Sequence, residues 1–284
     1  MKPSLTPRLS ISKILLECLI FTGRNLAGIL RRIWLLTIAG CAIFYSLFNE
    51  YMVELQGFMA APTEAHASMV LGLVAASVLL LLFVYTLTLA AVTDLALGHH
   101  RQGGVFSIRI GHQEGRLYAA SLRLLLLMTI LIAAAYLIIL GIRTAGFGHT
   151  AQYALEMGIA GTLAVIALRL GFLLPAVAMG ERRGVVIRKC WKFSDGIFLP
   201  LLLIAIAVVL PGLLLELLGE LIARTTQPAL YVSGALQNDI NTFRHVAPIF
   251  SILFWLPVML TTVLYAIAST TIYRALKNNS RMED

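Results

Sequence analysis

Few residues in this sequence have the types and spacing that catalysis or metal binding requires. Asp94, His99 and His100 come nearest to a metal-binding group, but adjacent histidines project in different directions on a helix, so only one of them could join Asp94. The metalloprotease HExxH, the GxSxG nucleophile elbow, the Walker glycine loop and a dinucleotide fingerprint following a strand do not occur. We therefore expect no metal, no cofactor and no enzymatic activity.

Arg169 is the clearest ionisable residue inside an apolar run, where a charge costs at least about 2.5–3.5 kcal/mol on insertion scales. Its long side chain could extend towards the headgroups or form a structural ion pair, and it could instead belong to a substrate site. Asp94, near the end of another apolar run, is the nearest acid, although the two residues are expected at different depths. Arg169 and Asp94 are therefore candidates for substrate or partner binding.

The composition determines the class of protein in which these residues lie. Of the 284 residues 59% are apolar and 13% are charged, against about half and a quarter in soluble domains, and the mean hydropathy is +0.88. This excludes a water-soluble globular enzyme. The apolar runs do not alternate as the strands of a membrane β-barrel do, so they predict helices. We expect an all-α integral membrane protein, a single polytopic domain over 1–284 with six transmembrane helices at about 33–48, 69–93, 122–141, 154–179, 197–218 and 247–273.

The basic residues predict how the chain is threaded. Eighteen of the 22 Lys and Arg residues lie in the N-terminal segment, the second and fourth connections and the C-terminal segment. By the positive-inside rule both termini are cytoplasmic, which explains the formal charge of +8 without nucleic acid. The expected plan is a cytoplasmic amphipathic segment at 1–32, an extracytoplasmic loop at 219–246 and a cytoplasmic tail at 274–284.

A basic, partly amphipathic stretch precedes each odd-numbered span, beginning near residues 10, 106 and 185. This pattern suggests three repeats of an interfacial helix followed by a two-span hairpin. The alternative is that any basic loop beside a span resembles an amphipathic helix. Gly196 is placed to end the third stretch. Helices of this kind lie in the headgroup layer, so the partners we expect are anionic lipids. The candidate headgroup-binding residues are Arg182, Arg183, Arg188, Lys189 and Lys192.

Prolines fall within three of the spans, at Pro175, Pro211 and Pro257. A proline inside a helix removes one backbone hydrogen bond and bends the helix. Broken helices around a central site are typical of transporters. Proline is also common in membrane helices generally, so we expect these residues to produce simple kinks.

Two regions resemble a known family. One is the stretch 9–15 followed by the tripeptide 23–25, and the other covers 169–200, with Arg169, a proline-containing apolar end, Glu181, the basic helix 189–194 and Gly196. They are similar to the six-helix membrane domain of some bacterial glycerophosphodiester phosphodiesterases and to YciC-like inner-membrane proteins. Cys190 stands where that family often has Ser. The resemblance implies a multi-pass inner-membrane domain without assigned chemistry, and the catalytic phosphodiesterase domain is absent.

These observations predict a non-catalytic protein of the cell inner membrane that interacts with lipid or organises partner proteins of the cell envelope. Its partners would be anionic headgroups on the cytoplasmic side, together with other membrane proteins or further copies of the chain. The alternative is a transporter or channel for a small or amphiphilic solute, with a polar site near Arg169 and proline-bent helices.

Overall fold

The computed structural model describes residues 10–60, 64–98, 111–144, 149–181, 184–226 and 240–281. Within these ranges the regular structure is entirely helical. The helices are α1 (Ile11–Ala60), α2 (Glu64–Ala96), α3 (His112–Thr144), α4 (His149–Gly171), α5 (Leu174–Gly180), α6 (Val186–Phe193), α7 (Phe198–Thr226) and α8 (Ile240–Arg281).

Within the described ranges, six helical segments are long and apolar enough to cross a membrane, and each overlaps one of the predicted apolar runs. The prediction of an all-α membrane protein with six spans is confirmed. The fourth span combines α4 and α5. The six segments are Ile11–Leu47, Ser68–Ala96, His112–Thr144, Gln152–Gly180, Phe198–Ile222 and Trp255–Asn278.

The first predicted amphipathic segment is not a separate interfacial helix. It is continuous with the first span in the 50-residue α1, which contains no proline. The basic residue Arg32, near the middle of α1, has a partner on α2: its Nη1 atom lies 3.8 Å from Oδ2 of Asp94 and donates a 3.4 Å hydrogen bond to the Ala91 carbonyl. A charge held in this way can remain inside a continuous helix.

The other two predicted repeats differ from each other. The start of the second, near residue 106, lies outside the described residues, and from His112 onwards it is continuous with α3. The third forms the separate helix α6, which ends in a turn before Gly196. Gly196 has a φ of +72°, a conformation that costs other residues about 1–2 kcal/mol, so its predicted role in ending this helix is confirmed.

The described parts of the predicted loop and tail are helical. α7 extends to Thr226 and α8 begins at Ile240, so only the middle of the predicted 219–246 loop separates them, at 227–239, outside the described residues. The predicted tail from 274 forms the last turns of α8, which runs to Arg281.

The break in the fourth span follows from Pro175. Because proline has no N–H group, the carbonyl of Gly171, four residues earlier, loses its helical donor. The hydroxyl of Tyr265 on α8 donates to that carbonyl instead. The chain turns at Phe172 and Leu173, and α5 begins with Pro175 in its first turn. We expected simple kinks at the three prolines; at Pro175 the span is instead divided into two helices, while α7 and α8 continue through Pro211 and Pro257.

The core lies around α5, whose residues Leu174–Met179 are all buried. This short helix packs against α2, α3, α6 and α8. A helix that is apolar on every side is stable only when it is surrounded in this way. Fully buried side chains from the other helices complete the core, among them Ile29, Leu89, Leu117, Leu201 and Ile267.

Candidate functional site

α6 lies at the end of the bundle where most basic residues of the described chain occur, which we call the basic end. Val186 and Cys190 of α6 are buried in the core. Arg188 and Lys192 are exposed, and Trp191 retains 43% of its surface. One side of α6 is therefore fixed to the bundle, and the other presents two cations and a large aromatic ring.

The first group that fixes α6 is centred on Glu181, at the end of α5. Its Oε2 atom accepts a 2.8 Å bond from Nζ of Lys189 on α6, and its Oε1 atom accepts bonds of 2.5 Å from the Tyr273 hydroxyl and 3.1 Å from Nζ of Lys277. We call Glu181, Lys189, Tyr273 and Lys277 the Glu181 cluster. One carboxylate thus joins α5, α6 and α8.

The hydrogen bonds of the Glu181 cluster strongly favour its charged form. Partial burial of the Glu181 carboxylate raises its pKa, but the bonds from Lys189, Tyr273 and Lys277 outweigh burial and lower the pKa to about 2. Glu181 is therefore ionised at neutral pH. The two lysine ammonium groups exceed the charge of the single carboxylate, so the cluster carries a net positive charge.

Two neighbours position the Glu181 cluster. A Cβ atom on Gly180 would lie 2.7 Å from the ring of Tyr273, so only glycine allows this ring to approach the end of α5. Arg116 on α3 holds the segment between α5 and α6, donating to the Glu181 carbonyl and, at 2.8 Å, to the Gly184 carbonyl. The sequence did not reveal either role.

The second group that fixes α6 is centred on Arg169 of α4. Its Nε donates to Ser194 Oγ at 3.2 Å and its Nη2 to Asp195 Oδ1 at 3.0 Å, while its Cζ lies 4.0 Å from the centre of the Trp191 ring. The Arg169 side chain is only 17% exposed. These contacts support the interpretation of Arg169 as a structural ion pair, with Asp195 as its partner.

Asp94 and Arg169 are not brought together. Asp94 is buried on α2 beside Arg32, whereas Arg169 contacts the end of α6. Asp195 is four residues beyond Trp191 in sequence and in the turn after α6, where it can reach α4. From the sequence, Asp94 was a candidate partner for Arg169 because it lies in an apolar run. In the structure the turn after α6 brings a nearer acid, Asp195, to Arg169.

The predicted headgroup residues divide into three kinds. Arg188 and Lys192 are exposed on α6, as a headgroup-binding role requires. Lys189, in contrast, directs its ammonium group to Glu181 instead of the headgroup layer. Its position follows from α6 being fixed by Val186 and Cys190, which turns the intervening Lys189 towards α5. Arg182 and Arg183 lie outside the described residues.

The third cysteine of the chain lies within this end of the bundle. Cys190 is completely buried, and burial raises the pKa of its thiol to about 12. A protonated, buried thiol is neither a nucleophile nor a metal ligand at neutral pH. Within the part of the chain that the structure describes, no three His, Cys, Asp or Glu side chains form a possible metal site, and His99 and His100 lie outside that part.

A groove of about 400 Å³ lies elsewhere in the bundle, between α4, α7 and α8. Ala205, Val209 and Leu213 of α7 form one wall and Val258 of α8 contributes to another, with Glu216 among the lining residues. Neither Arg169 nor Asp94 lines this groove. Its size is in the range of small-molecule sites, and its walls are almost entirely apolar.

The fold and these sites define a class: an all-α, multi-pass membrane protein with a fixed amphipathic helix at its basic end. No protein-family model, no curated protein and no solved structure matches the chain. The resemblance to the six-helix membrane domain thus stays a prediction.

Proposed function

We propose that this protein is a non-catalytic protein of the bacterial inner membrane that binds anionic lipid headgroups through α6. The observation that carries the proposal is the orientation of α6. Its apolar side is buried, its inner lysine is paired with Glu181, and Arg188 and Lys192 remain exposed beside Trp191. Cations next to an aromatic ring at the end of a membrane span are suited to phosphate groups at the lipid–water interface.

Rigidity supports the same proposal. The Glu181 cluster holds the middle of α6, and Arg169 holds Trp191 and the turn that follows it. A helix fixed at two places loses little further conformational freedom when a lipid binds, so more of the interaction energy contributes to affinity. The organisation of partner proteins or further copies of the chain stays a prediction.

The lipid proposal is tested by replacing the two exposed cations together, as R188Q/K192Q. Each basic residue near an anionic surface contributes about 1 kcal/mol, so we expect the affinity for phosphatidylglycerol to fall by about 30-fold. The measurement is native mass spectrometry of the full chain in detergent, titrated with phosphatidylglycerol and phosphatidylcholine of identical acyl chains.

K13Q/R24Q is the matched control, since it removes the same charge from exposed positions on α1. Its affinity for phosphatidylglycerol should stay close to that of the unmodified chain. An equal loss in both double variants would show diffuse attraction to the basic end and would overturn the assignment to α6. Unchanged binding in R188Q/K192Q would do the same.

We also propose that the basic end is cytoplasmic, with both termini on that side. The support is the distribution of Lys and Arg, 18 of 22 of which lie on the side assigned to the cytoplasm. A fluorescent protein that matures only in the cytoplasm should therefore be bright when fused after Asp284. Alkaline phosphatase, active only outside the cytoplasm, should be inactive there and active when inserted within 227–239. The reverse pattern would refute this orientation.

The transporter alternative rested on a polar site near Arg169. The contacts of Arg169 with Ser194, Asp195 and Trp191 favour a structural role instead, and the groove between α4, α7 and α8 does not reach it. These observations favour lipid binding over transport. The resemblance to the six-helix membrane domain points in the same direction, because it implies an inner-membrane domain without assigned chemistry.

A further inference from the structure

The apolar groove between α4, α7 and α8 has an acidic side chain among its lining residues. On α7 the lining positions include Ala205, Val209, Gly212, Leu213 and Glu216, whose spacings of three and four residues place them on one face of the helix. The distance along the axis from Ala205 to Glu216 is about 16 Å, roughly half the thickness of the hydrocarbon layer. The groove therefore has the length of an acyl chain segment within one leaflet.

The edges of this groove face the surrounding lipid. Val209 and Leu213 on α7 each retain 47% of their surface, and Val258 on α8 retains 43%. The opposite wall is closed by Leu168 and Gly171 of α4 and by Tyr265 of α8. A groove that is open sideways to the membrane and apolar along its length admits a hydrocarbon chain more readily than a water-soluble molecule.

Glu216 lines the groove and lies within the candidate membrane span Phe198–Ile222. It is about 27 Å along α7 from Phe198, so it lies near the end of the bundle opposite α6. Among the described residues no cation forms an ion pair with it. Acidic residues inside a membrane are costly and commonly mark a binding site, which makes an external cation the fitting partner.

We propose that this groove binds one acyl chain of a phospholipid with a primary ammonium headgroup, and that the ammonium group binds Glu216. Charge complementarity selects this occupant: an acid beside an apolar groove attracts a lipid that carries a cation and disfavours one with only negative charge. A primary ammonium group also offers three N–H donors to the carboxylate, which a trimethylated one lacks. This site is separate from α6 and recognises the ammonium group of a headgroup instead of its phosphate.

The test compares lipids with identical acyl chains that differ in headgroup, namely phosphatidylethanolamine, phosphatidylcholine and phosphatidylglycerol, on the full chain by native mass spectrometry. The unmodified chain should retain phosphatidylethanolamine most strongly at this site. E216Q should lower that retention about tenfold, because a charge-assisted hydrogen bond is lost. E220Q removes the same charge one helical turn further along α7, outside the groove, and should leave retention unchanged.

The acyl-chain part of the proposal is tested by filling the groove with A205F, or with V209F at its exposed edge should the first variant fold poorly. Either substitution should reduce retention of phosphatidylethanolamine while Glu216 is intact. Equal retention in E216Q and the unmodified chain, or no effect of filling, would overturn the proposal. Phosphatidylglycerol binding at α6 should be unaffected by E216Q and reduced by R188Q/K192Q, so failure of one site is distinguishable from failure of the other.

Discussion

Replacing Glu181 by Gln is expected to lower the free energy of unfolding at pH 7 by about 2–3 kcal/mol. The substitution keeps the shape of the side chain but removes the charge that binds Lys189, Tyr273 and Lys277. Hydrogen bonds to charged groups contribute about 1.5–3 kcal/mol, and the two lysines, with side chains 33% and 37% exposed, partly recover their loss by hydration. Thermal unfolding of the full chain in detergent measures the effect.

Two controls separate the Glu181 cluster from a general effect of charge. K192Q changes an exposed cation on α6, the helix that carries Lys189, and should leave stability unchanged. E181Q/K189Q removes both partners of one ion pair and should be more stable than E181Q alone, because fewer cations are left without a carboxylate. A stability of E181Q equal to that of the unmodified chain would show that the cluster does not fix α6.

The stability difference between the unmodified chain and E181Q should depend on pH, with a definite sign. The pKa of Glu181 is about 2 in the folded protein, below its ordinary value of 4.5, so the folded state favours the ionised carboxyl group. Its stabilising contribution is fully present above about pH 4.5 and is lost as the pH falls towards 2. The difference in melting temperature between the unmodified chain and E181Q should therefore be constant from pH 7 to 5 and shrink between pH 4.5 and 2.

The membrane spans could be predicted because they depend on local composition. A run such as 197–218 must be helical in lipid, wherever its neighbours lie, since its backbone groups have no water to bind. Gly196 could be assigned to a helix end because its conformational freedom is a property of the residue itself. The length of α1 was not predicted. A basic segment next to a span has the same sequence pattern whether it forms a separate helix or continues the helix of the span.

The candidate site could not be predicted in the same way. Glu181 and Tyr273 are 92 residues apart, and no periodic pattern in the sequence relates them. Apolar spans lack distinctive residues that would show which helices are neighbours. The sequence alone therefore does not determine how the helices pack. The Arg169 partner was missed for a related reason, since Asp195 lies in a turn whose direction depends on the packing of α6.

The two candidate lipid sites make different demands on the fold. α6 must remain fixed while presenting Arg188 and Lys192, which requires polar contacts with α4, α5 and α8 at the basic end. The groove depends instead on the spacing of α7 from α4 and α8. At Gly212 a Cβ atom would lie 2.0 Å from Oγ1 of Thr261, so α7 and α8 touch closely at this point. Contact at Gly212 thus limits the groove on one side while leaving its outer edge open.

Gly40→Ala is expected to destabilise the bundle by about 3 kcal/mol, although alanine normally stabilises a helix relative to glycine. A Cβ atom on Gly40 would lie 2.2, 2.3 and 2.6 Å from three atoms of the Trp255 ring. That ring is 5% exposed and packs in a small core with Leu36, Val84 and Met259, so it has little room to move. The measurement is again thermal unfolding of the full chain in detergent.

Gly23→Ala is the matched control on the same helix, because its added Cβ would meet no atom within 4 Å. Helix propensity should then act alone and raise stability by up to about 1 kcal/mol, so the two glycine substitutions are expected to have opposite signs. Trp255→Leu should cost less in the G40A background than in the unmodified chain, since the smaller side chain makes space for the new methyl group. Additive effects of G40A and W255L would show that Gly40 and Trp255 do not pack together. The contact between α1 and α8 at this depth would then be refuted.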